Sequence, residues 1–471
     1  MAEESRASVA PSRRDQEALA ARVAGPVLLP GDDGWAEEAW TLNAAVDHRP
    51  AVIVGATGPA DVQAAVRFAR AHELAVGVVA TGHGPAVTIS GGLLITTRRM
   101  SGVAIDPVAR TARVEAGVSM RQLVDEAAAF GLAPLAGSAP SLGVVGYTLG
   151  GGLSVTMGRA FGWAADHVRR IDVVTADGEL RQASEATEPD LFWALRGGKG
   201  NFGVVTALEC ALFPVTRLYA GNLFFSGRDT ASVMHAYQRF TAGAPQDLMS
   251  SIALLRMPDV PSVPELLRGR LTVDIRISYL GSADDGRKLI APLRAAAPAE
   301  LDTVTERPFT DFGQIAPGPA EPVPSVEQFA LLRELTPQTV DAFVAAAGPD
   351  SATAVNVIDI RHLGGALTKQ RTGGNNAVDP LDAQFLLITS TIVAKGQGEE
   401  RKDAGLELLD PLAPWLREAK HANFLAASDA TAQRTRKAFR APTYERLRSV
   451  KSRFDPHNAF RFNHNIPPGQ G

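Results

Sequence analysis

The chain has one cysteine, Cys210, in 471 residues, which excludes an intramolecular disulfide, a CxxC redox pair and every multi-cysteine zinc site. It also lacks an excess of one charge. Its 47 basic and 51 acidic residues leave a formal charge of −4, and with no basic block the electrostatic footprint of a nucleic-acid binder is missing. The opening segment, Met1–Gly25, is charged and has no apolar core of the kind a secretory signal needs, so a cytoplasmic location is expected. There is no internal repeat and no low-complexity tract. The stretch Ala127–Gly158 carries no charge, yet it holds Pro134, Pro140 and eight glycines, which disqualifies it as a lipid-facing helix. Buried turns and short strands are expected there, with backbone that approaches a ligand closely.

What is present is ample core material, with 45% hydrophobic and 21% charged residues, as in an ordinary globular enzyme. The first fourteen or so residues read as an arm. Ala51–Gly55 is a short apolar strand, followed by a helix opening at Pro59, a preferred first helical position. Val62, Ala65, Val66, Ala69 and Leu74 give that helix its apolar stripe. A strand at Ala75–Ala80 leads into the loop Thr81-Gly82-His83-Gly84-Pro85, and strands follow at Leu93–Thr97 and Ala112–Ala116. Ser119 caps a helix running to Phe130, with Gly131 as its stop. Ile171–Leu180 is a hairpin turning at Asp177-Gly178, a helix starts at Pro189, and Phe202–Leu212 is a strand. Beyond Val215 the runs lengthen, as in LTVDIRISYL and AQFLLITSTIVA, with the Pro-rich surface connector Ile315–Pro324 between them. A terminal helix spans Pro442–Phe454.

Two glycine-rich segments carry the chemistry. In Ser138–Arg159, glycines at 143, 146, 150, 151 and 152 leave main-chain N–H groups unshielded, which suits an anionic diphosphate as well as it suits a tightly turned core loop. Arg196–Gly203 (RGGKGNFG) has no Ser or Thr after its lysine, so it is a poor Walker A loop. No GxGxxG links a first strand to its helix, so a Rossmann site is unsupported.

Thr81-Gly82-His83-Gly84, LGVVGYTLGGG, PDLFWALRGGKGNFGVVT and the tail RFDPHNAFRFNHNIPP occur in that order. Together they resemble the berberine bridge enzyme-like FAD-linked oxidases of the vanillyl-alcohol oxidase superfamily, whose bacterial members tailor secondary metabolites. The bias of 39 arginines to 8 lysines agrees with a high-GC bacterial source. The resemblance implies an α+β protein with a PCMH-type FAD-binding domain of two α/β subdomains and a substrate domain on an antiparallel sheet covered by helices. The implied divisions are 1–40 (arm and start of the FAD domain), 41–215 (FAD domain), 216–424 (substrate domain) and 425–471 (return to the FAD domain).

The same resemblance implies which residues meet FAD. Leu142, Gly143, Gly146, Tyr147, Gly150, Gly151 and Gly152 wrap the diphosphate, and Thr81, Gly82 and Gly84 flank His83. Gly203 and Val205 touch the cofactor through their backbone, while Asn423, Asn463 and Asn465 close over the ring. Family members attach the flavin 8α-methyl group to a histidine at the position of His83; the other reading is a loop histidine packed near the ring. A second, cysteinyl link is excluded because Ala139 stands at that position, and Cys210 reads as core. Tyr147 either stacks or bonds at the flavin, or is a core tyrosine held by its hydroxyl. The family's Tyr-x-Asn is His421-Ala422-Asn423 here. His421 is the candidate catalytic base, or else it ends a helix PWLREAKH where a cationic ring favours the dipole. His457 and His464 complete no metal pattern, and His362, in RHLGGA, either faces the substrate cavity from a middle-domain strand or, as the favoured reading, faces solvent.

The expected activity is an oxidase. A hydride passes from an alcohol, lactol or amine carbon of a small organic substrate to flavin N5, and O2 reoxidises the flavin with release of hydrogen peroxide. The alternative is a flavoprotein catalysing cyclisation or another non-redox step around a structural flavin. Expected partners are the substrate and O2, with no metal, nucleic acid or membrane.

Overall fold

The computed structural model describes residues 11–84, 87–318, 321–368, 376–393, 401 and 403–469. The first ten residues of the expected arm, Pro85 of the histidine loop, residues 319–320 of the Pro-rich connector and Ala394 lie outside them. Three sheets organise the chain. The first is ordered β1-β2-β4-β3 and is built from β1 (Val27–Leu28), β2 (Val52–Gly55), β3 (Val76–Val79) and β4 (Leu93–Thr96). β2 and β3 both run parallel to β4, and the helix Pro59–Ala71 makes the crossover a parallel pair requires. The stripe predicted from the sequence is its buried face: Val62, Ala65, Val66 and Ala69.

The second sheet is antiparallel, ordered β5-β6-β9-β7-β8, with β5 (Val103–Asp106), β6 (Thr111–Glu115), β7 (Val168–Val174), β8 (Leu180–Ser184) and β9 (Val204–Ala211). Ser119 caps the helix Met120–Ala128 by accepting from the Gln122 N–H. Gly131 then takes a left-handed φ of 68°, as a helix stop does. The hairpin turns at Asp177-Gly178 with Gly178 at φ 81°.

Nine strands form the third sheet: β10 (Arg217–Ser226), β11 (Leu248–Arg256), β12 (Leu271–Tyr279), β13 (Ala299–Asp302), β14 (Thr305–Pro308), β15 (Ser325–Leu332), β16 (Val357–His362), β17 (Phe385–Ile392) and β18 (Leu416–Arg417). Alternation splits this sheet into two unlike faces. Leu223, Ile252, Leu254, Ile275, Ile277, Ile358, Ile360 and Leu387 pack under the helices Thr230–Ala242, Ala283–Arg294 and Pro337–Ala347. The intervening positions point the other way and carry the site described below.

Three expectations are corrected. The uncharged glycine-rich stretch is not turns and short strands, because Val144–Leu149 is helical; the chain folds back at Gly143 and Gly150 and satisfies the backbone in between. His421 does not end a helix PWLREAKH. Asp410–Trp415 is a 3₁₀ turn and Leu416–Arg417 pairs with β15 as an edge strand, since two prolines, Pro411 and Pro414, break the helical ladder. His362 is buried at 6% exposure, bonded through Nε2 to Arg159 Nη1 at 3.0 Å and stacked on Phe385; burial and the Arg159 charge push its pKa down to about 3.

The terminal helix Ala441–Phe454 returns to the second sheet, sharing its core through Tyr444, Leu447 and Val450. Its decisive residue is polar. Lys451, with no exposed surface, donates to Asp455 Oδ2 (2.6 Å), the Asn201 carbonyl (2.7 Å) and the Phe460 carbonyl (3.0 Å). Asp455 in turn accepts from the Ala459 and Phe460 N–H groups. Lys451→Met should destabilise the fold by about 3–5 kcal/mol, because Asp455 stays buried without its cation. Chemical denaturation checks this, and a loss below about 1 kcal/mol contradicts it.

Candidate active site

The glycines at 150, 151 and 152 each have a steric reason. A side chain at Gly150 would overlap the Asn423 amide, one at Gly151 would meet His421 Cε1 at 2.8 Å, and one at Gly152 would meet the Tyr147 ring at 2.9 Å. Gly151 and Gly152 also have left-handed φ values of 126° and 77°. Gly146 differs: it is exposed, and a Cβ there would find nothing within 4 Å. Gly143 accepts from the Tyr147 N–H at 3.1 Å, and the Leu142 carbonyl accepts from Met120 at 2.7 Å. The cradle is therefore tight against protein on one side and open at Gly146.

Of the two readings of Tyr147, the structure takes the anchored one. Its hydroxyl donates to the Leu135 carbonyl at 3.0 Å, and burial raises its pKa well above the usual 10.0. Its own carbonyl accepts from Asn423 Nδ2 at 3.0 Å. The phenol is therefore held by a core carbonyl.

The histidine loop abuts this cradle. Gly82, at φ 70°, presses on Trp40 and Thr41, and its carbonyl accepts from Leu42 at 2.8 Å. The Thr81 hydroxyl oxygen lies 3.3 Å from where a Gly143 Cβ would stand. Gly84 is exposed with open space around it. His83 Nδ1 is 3.3 Å from Ser141 Oγ, one residue before Leu142, and burial lowers its pKa, keeping the imidazole neutral.

From the other side comes the tail. Asn201 donates to the carbonyls of Gly198 (2.9 Å) and His464 (3.2 Å) and accepts from the Ile466 N–H (2.9 Å). Asn463 donates to the Gly200 carbonyl at 3.2 Å. The side-chain oxygens of Asn463 and Asn465 are buried with no partner, a costly state that a bound donor relieves. Gly203, at φ 156°, lies against Val174, and buried Val205 pairs with Val173 in the β9–β7 ladder.

His421 is 4% exposed and stacks on Trp163 with centroids 4.2 Å apart and planes 17° apart. Its Nδ1 accepts from the Asn423 N–H at 3.2 Å, and its Nε2 is buried without a partner. Burial, with the charge of Lys199 adding to it, pushes its pKa down to about 3. A neutral ring whose Nδ1 lone pair is taken carries its proton on Nε2. His421 thus offers the site an N–H donor where the sequence reading expected a base.

Facing His421 is the uncovered side of the third sheet. Phe329 of β15 meets Phe424 at 5.8 Å, and Phe424 meets His421 at 5.7 Å. Leu331 and Leu386 cluster with Trp163 on the same face. Two residues before Phe329, and so on its face, is Glu327. It is exposed, has no hydrogen-bond or ion-pair partner among the described residues, and desolvation raises its pKa against the pull of Arg361. Arg361 belongs to a buried row in which it bonds Asp359 at 2.8 Å, Arg276 bonds Asp359 and Asp274 at 3.1 and 2.8 Å, and Asn222 bonds Asp274 at 3.0 Å. Glu327 and Lys199 escaped the sequence reading because strand register and loop closure alone give them their surroundings: Phe329, two residues on from Glu327, meets Phe424, and the charge of Lys199 acts on His421; the period-2 alternation of β15 was the available signal for Glu327.

Among the described residues no His, Cys, Asp and Glu group is arranged to hold a metal ion, and no helix is long and apolar enough to cross a membrane. Cys210 is buried in the core of the second sheet and burial pushes its thiol up to about 12. Gly151→Ala should cost about 1–3 kcal/mol through overpacking against His421, whereas Gly146→Ala should leave stability within about 0.5 kcal/mol. Unfolding midpoints of the two variants check this, and equal losses contradict it.

The site fits FAD. An open glycine backbone suits a diphosphate, and the unpartnered oxygens of Asn463 and Asn465 and the Nε2–H of His421 suit the polar edge of a flavin. The FAD binding domain family matches residues 50–184, and the berberine and berberine-like family matches residues 417–467. Over 461 residues the chain is 28% identical to (R)-6-hydroxynicotine oxidase of Paenarthrobacter nicotinovorans, covering 95% of this chain and 97% of that protein. An FAD-linked oxidoreductase of Bacillus subtilis is 24% identical, with 95% and 99% coverage. The crystal structure of 6-hydroxy-D-nicotine oxidase from Arthrobacter nicotinovorans superposes with a TM-score of 0.81 at 25% identity, over 95% of this chain and 98% of that one. Xylooligosaccharide oxidase from Myceliophthora thermophila shares the fold, with a TM-score of 0.82 at 21% identity and 97% and 100% coverage. Both family segments are matched here, and likeness to FAD-linked relatives runs nearly from end to end. The expected α+β, PCMH-type FAD-binding fold is therefore present, and the chain is an FAD-linked oxidoreductase that carries an FAD binding domain and a berberine-like C-terminal segment.

Proposed function

We propose that the protein is an oxidase acting on a small organic alcohol, lactol or amine with an apolar or aromatic body, and that Glu327 takes the substrate's O–H or N–H proton. The observation that carries this is the placement of Glu327, an exposed carboxylate on the same face of β15 as Phe329, which meets Phe424 and through it His421, with no hydrogen-bond or ion-pair partner among the described residues. Its pKa is raised above the ordinary glutamate value, which makes the carboxylate a better proton acceptor. Phe329, Phe424, Ile388 and Leu386 offer the apolar wall, and the name of the hydroxynicotine-oxidising relative agrees with a substrate of that character.

Bound FAD supplies the hydride acceptor, and O2 regenerates it with release of hydrogen peroxide. Leu142, Gly143, Gly146 and Gly150–Gly152 hold the diphosphate through their backbone, with Tyr147 fixing the cradle from the core. Thr81, Gly82 and Gly84 shape the histidine loop, Gly203 and Val205 back the cofactor, and Asn463 and Asn465 close over it. Asn423 holds the Tyr147 carbonyl and, through its N–H, the His421 tautomer. His421 then orients substrate or cofactor oxygen by donating from Nε2. His83, kept neutral by burial, has the lone pair a link to the flavin 8α-methyl group requires.

Acid precipitation should leave yellow flavin in the pellet, and His83→Ala should release it to the supernatant; free flavin from the unaltered protein contradicts the link. An anaerobic screen of alcohols, amines, lactols and 6-hydroxynicotine, followed by flavin bleaching, should find a reductant. Product formed without bleaching contradicts the oxidase. With that reductant, the reduction rate should fall as pH drops through the Glu327 pKa, because only the carboxylate accepts a proton. Its acid limb lies above the ordinary glutamate value of about 4.3. Glu327→Gln should slow reduction by about two orders of magnitude and abolish the limb. His421→Phe should lower the rate with the limb intact. Loss of the limb in His421→Phe, with Glu327→Gln unaffected, contradicts the assignment.

A further inference from the structure

We propose that Lys199 is a redox-tuning cation, an unpaired ammonium held beside the glycine cradle that favours the reduced, negatively charged state of the bound flavin. The inference rests on FAD occupying this cradle. Lys199 opens the short turn Lys199–Asn201, between the helix Pro189–Leu195 and β9. It is a non-glycine residue at φ 56°, a left-handed backbone that strains a lysine and leaves a glycine unstrained. The strain places its side chain along the cradle, with Cγ 3.4 Å from where a Gly150 Cβ would stand.

Lys199 is half-buried, and no carboxylate or carbonyl among the described residues bonds its ammonium, whereas the fully buried Lys451 has three acceptors. Its charge reaches inward, for it helps to lower the pKa of both His421 and His464. The groups facing it leave that charge uncompensated. His421 and His464 are neutral, with pKa values pushed down to about 3 and about 4. Tyr147, on the helix Val144–Leu149, is held protonated. Asp190, on the helix Pro189–Leu195, pairs with Arg446 at the surface, and Asp429 pairs with Lys420. A desolvated cation without a partner is costly, and a flavin that gains negative charge on reduction offsets that cost. Burial lowers the pKa of Lys199 to about 8, so the effect is present at neutral pH and fades as pH rises through that value.

The test uses the flavin-loaded protein, with sulfite as probe, since sulfite bleaches oxidised flavin more readily where negative charge on the flavin is stabilised. Lys199→Met and Lys199→Gly should each weaken sulfite binding about tenfold. A tenfold shift of the oxidised–reduced equilibrium lowers a two-electron midpoint potential by about 30 mV. Lys199→Arg should retain most of the affinity, and the unaltered protein should approach the Met variant above pH about 8. Lys199→Gly relieves the backbone and so guards against misfolding. Unchanged sulfite affinity and potential in both the Met and Gly variants, with flavin still bound, overturns the proposal. Loss of flavin from Lys199→Gly alone overturns it in favour of a cofactor-holding role. Unaltered protein that takes up no flavin brings down the reading of the cradle instead.

Discussion

The structure depends most on a buried ion pair that makes distant pieces of chain into one wall. Lys451 and Asp455 are both without exposed surface, and their hydrogen bonds reach the turn after Gly200 and the tail at Ala459 and Phe460. Neither charge has an alternative partner in water, so the tail cannot lift away without stranding both. Because the tail is clamped, Asn463 and Asn465 are held with their side-chain oxygens buried and unsatisfied. That unfavourable arrangement persists only because the clamp over-determines it, and it readies the site for a ligand rich in donors.

Opposite that clamp, the third sheet divides two tasks by alternation alone. One face is apolar and sealed by helices; the other carries the row Asn222, Asp274, Arg276, Asp359, Arg361 and then Glu327. Within the row each inner acid meets a guanidinium. Burial works to raise the Asp359 pKa, but Arg361 and Arg276 outweigh it and hold it low. Glu327, at the end of the row, has only the distant pull of Arg361 and stays raised. Asp274, fully buried, stays raised even beside Arg276, so what sets Glu327 apart is its exposure and its want of a hydrogen-bonding partner among the described residues.

Much of this was legible in the sequence because it is local. Ser119, Pro59, Gly131 and Asp177-Gly178 act within a few residues, and each terminates or turns its element where expected. The glycines at 150, 151 and 152 were legible as a crowded backbone, although the crowding is by Asn423, His421 and Tyr147, which only tertiary structure supplies. His421 was legible as a candidate, but its tautomer was not, since the Asn423 N–H two residues on occupies its Nδ1. Glu327 and Lys199 were invisible for opposite reasons. A lone glutamate in a strand is an ordinary solvent-facing residue until register puts Phe329 against Phe424. A lysine among glycines, once the Walker A pattern fails, has no sequence signal to mark it, and only its φ and its lack of a partner among the described residues single it out.

The central claim is that three separated segments form one incomplete site which FAD completes. Hydrogen–deuterium exchange of flavin-free protein, before and after adding FAD, tests it most directly. Protection should rise together in 142–152, 199–205 and 460–466, with the helix-covered face of the third sheet unchanged. Protection confined to one of those segments, or none on saturation with FAD, contradicts the claim.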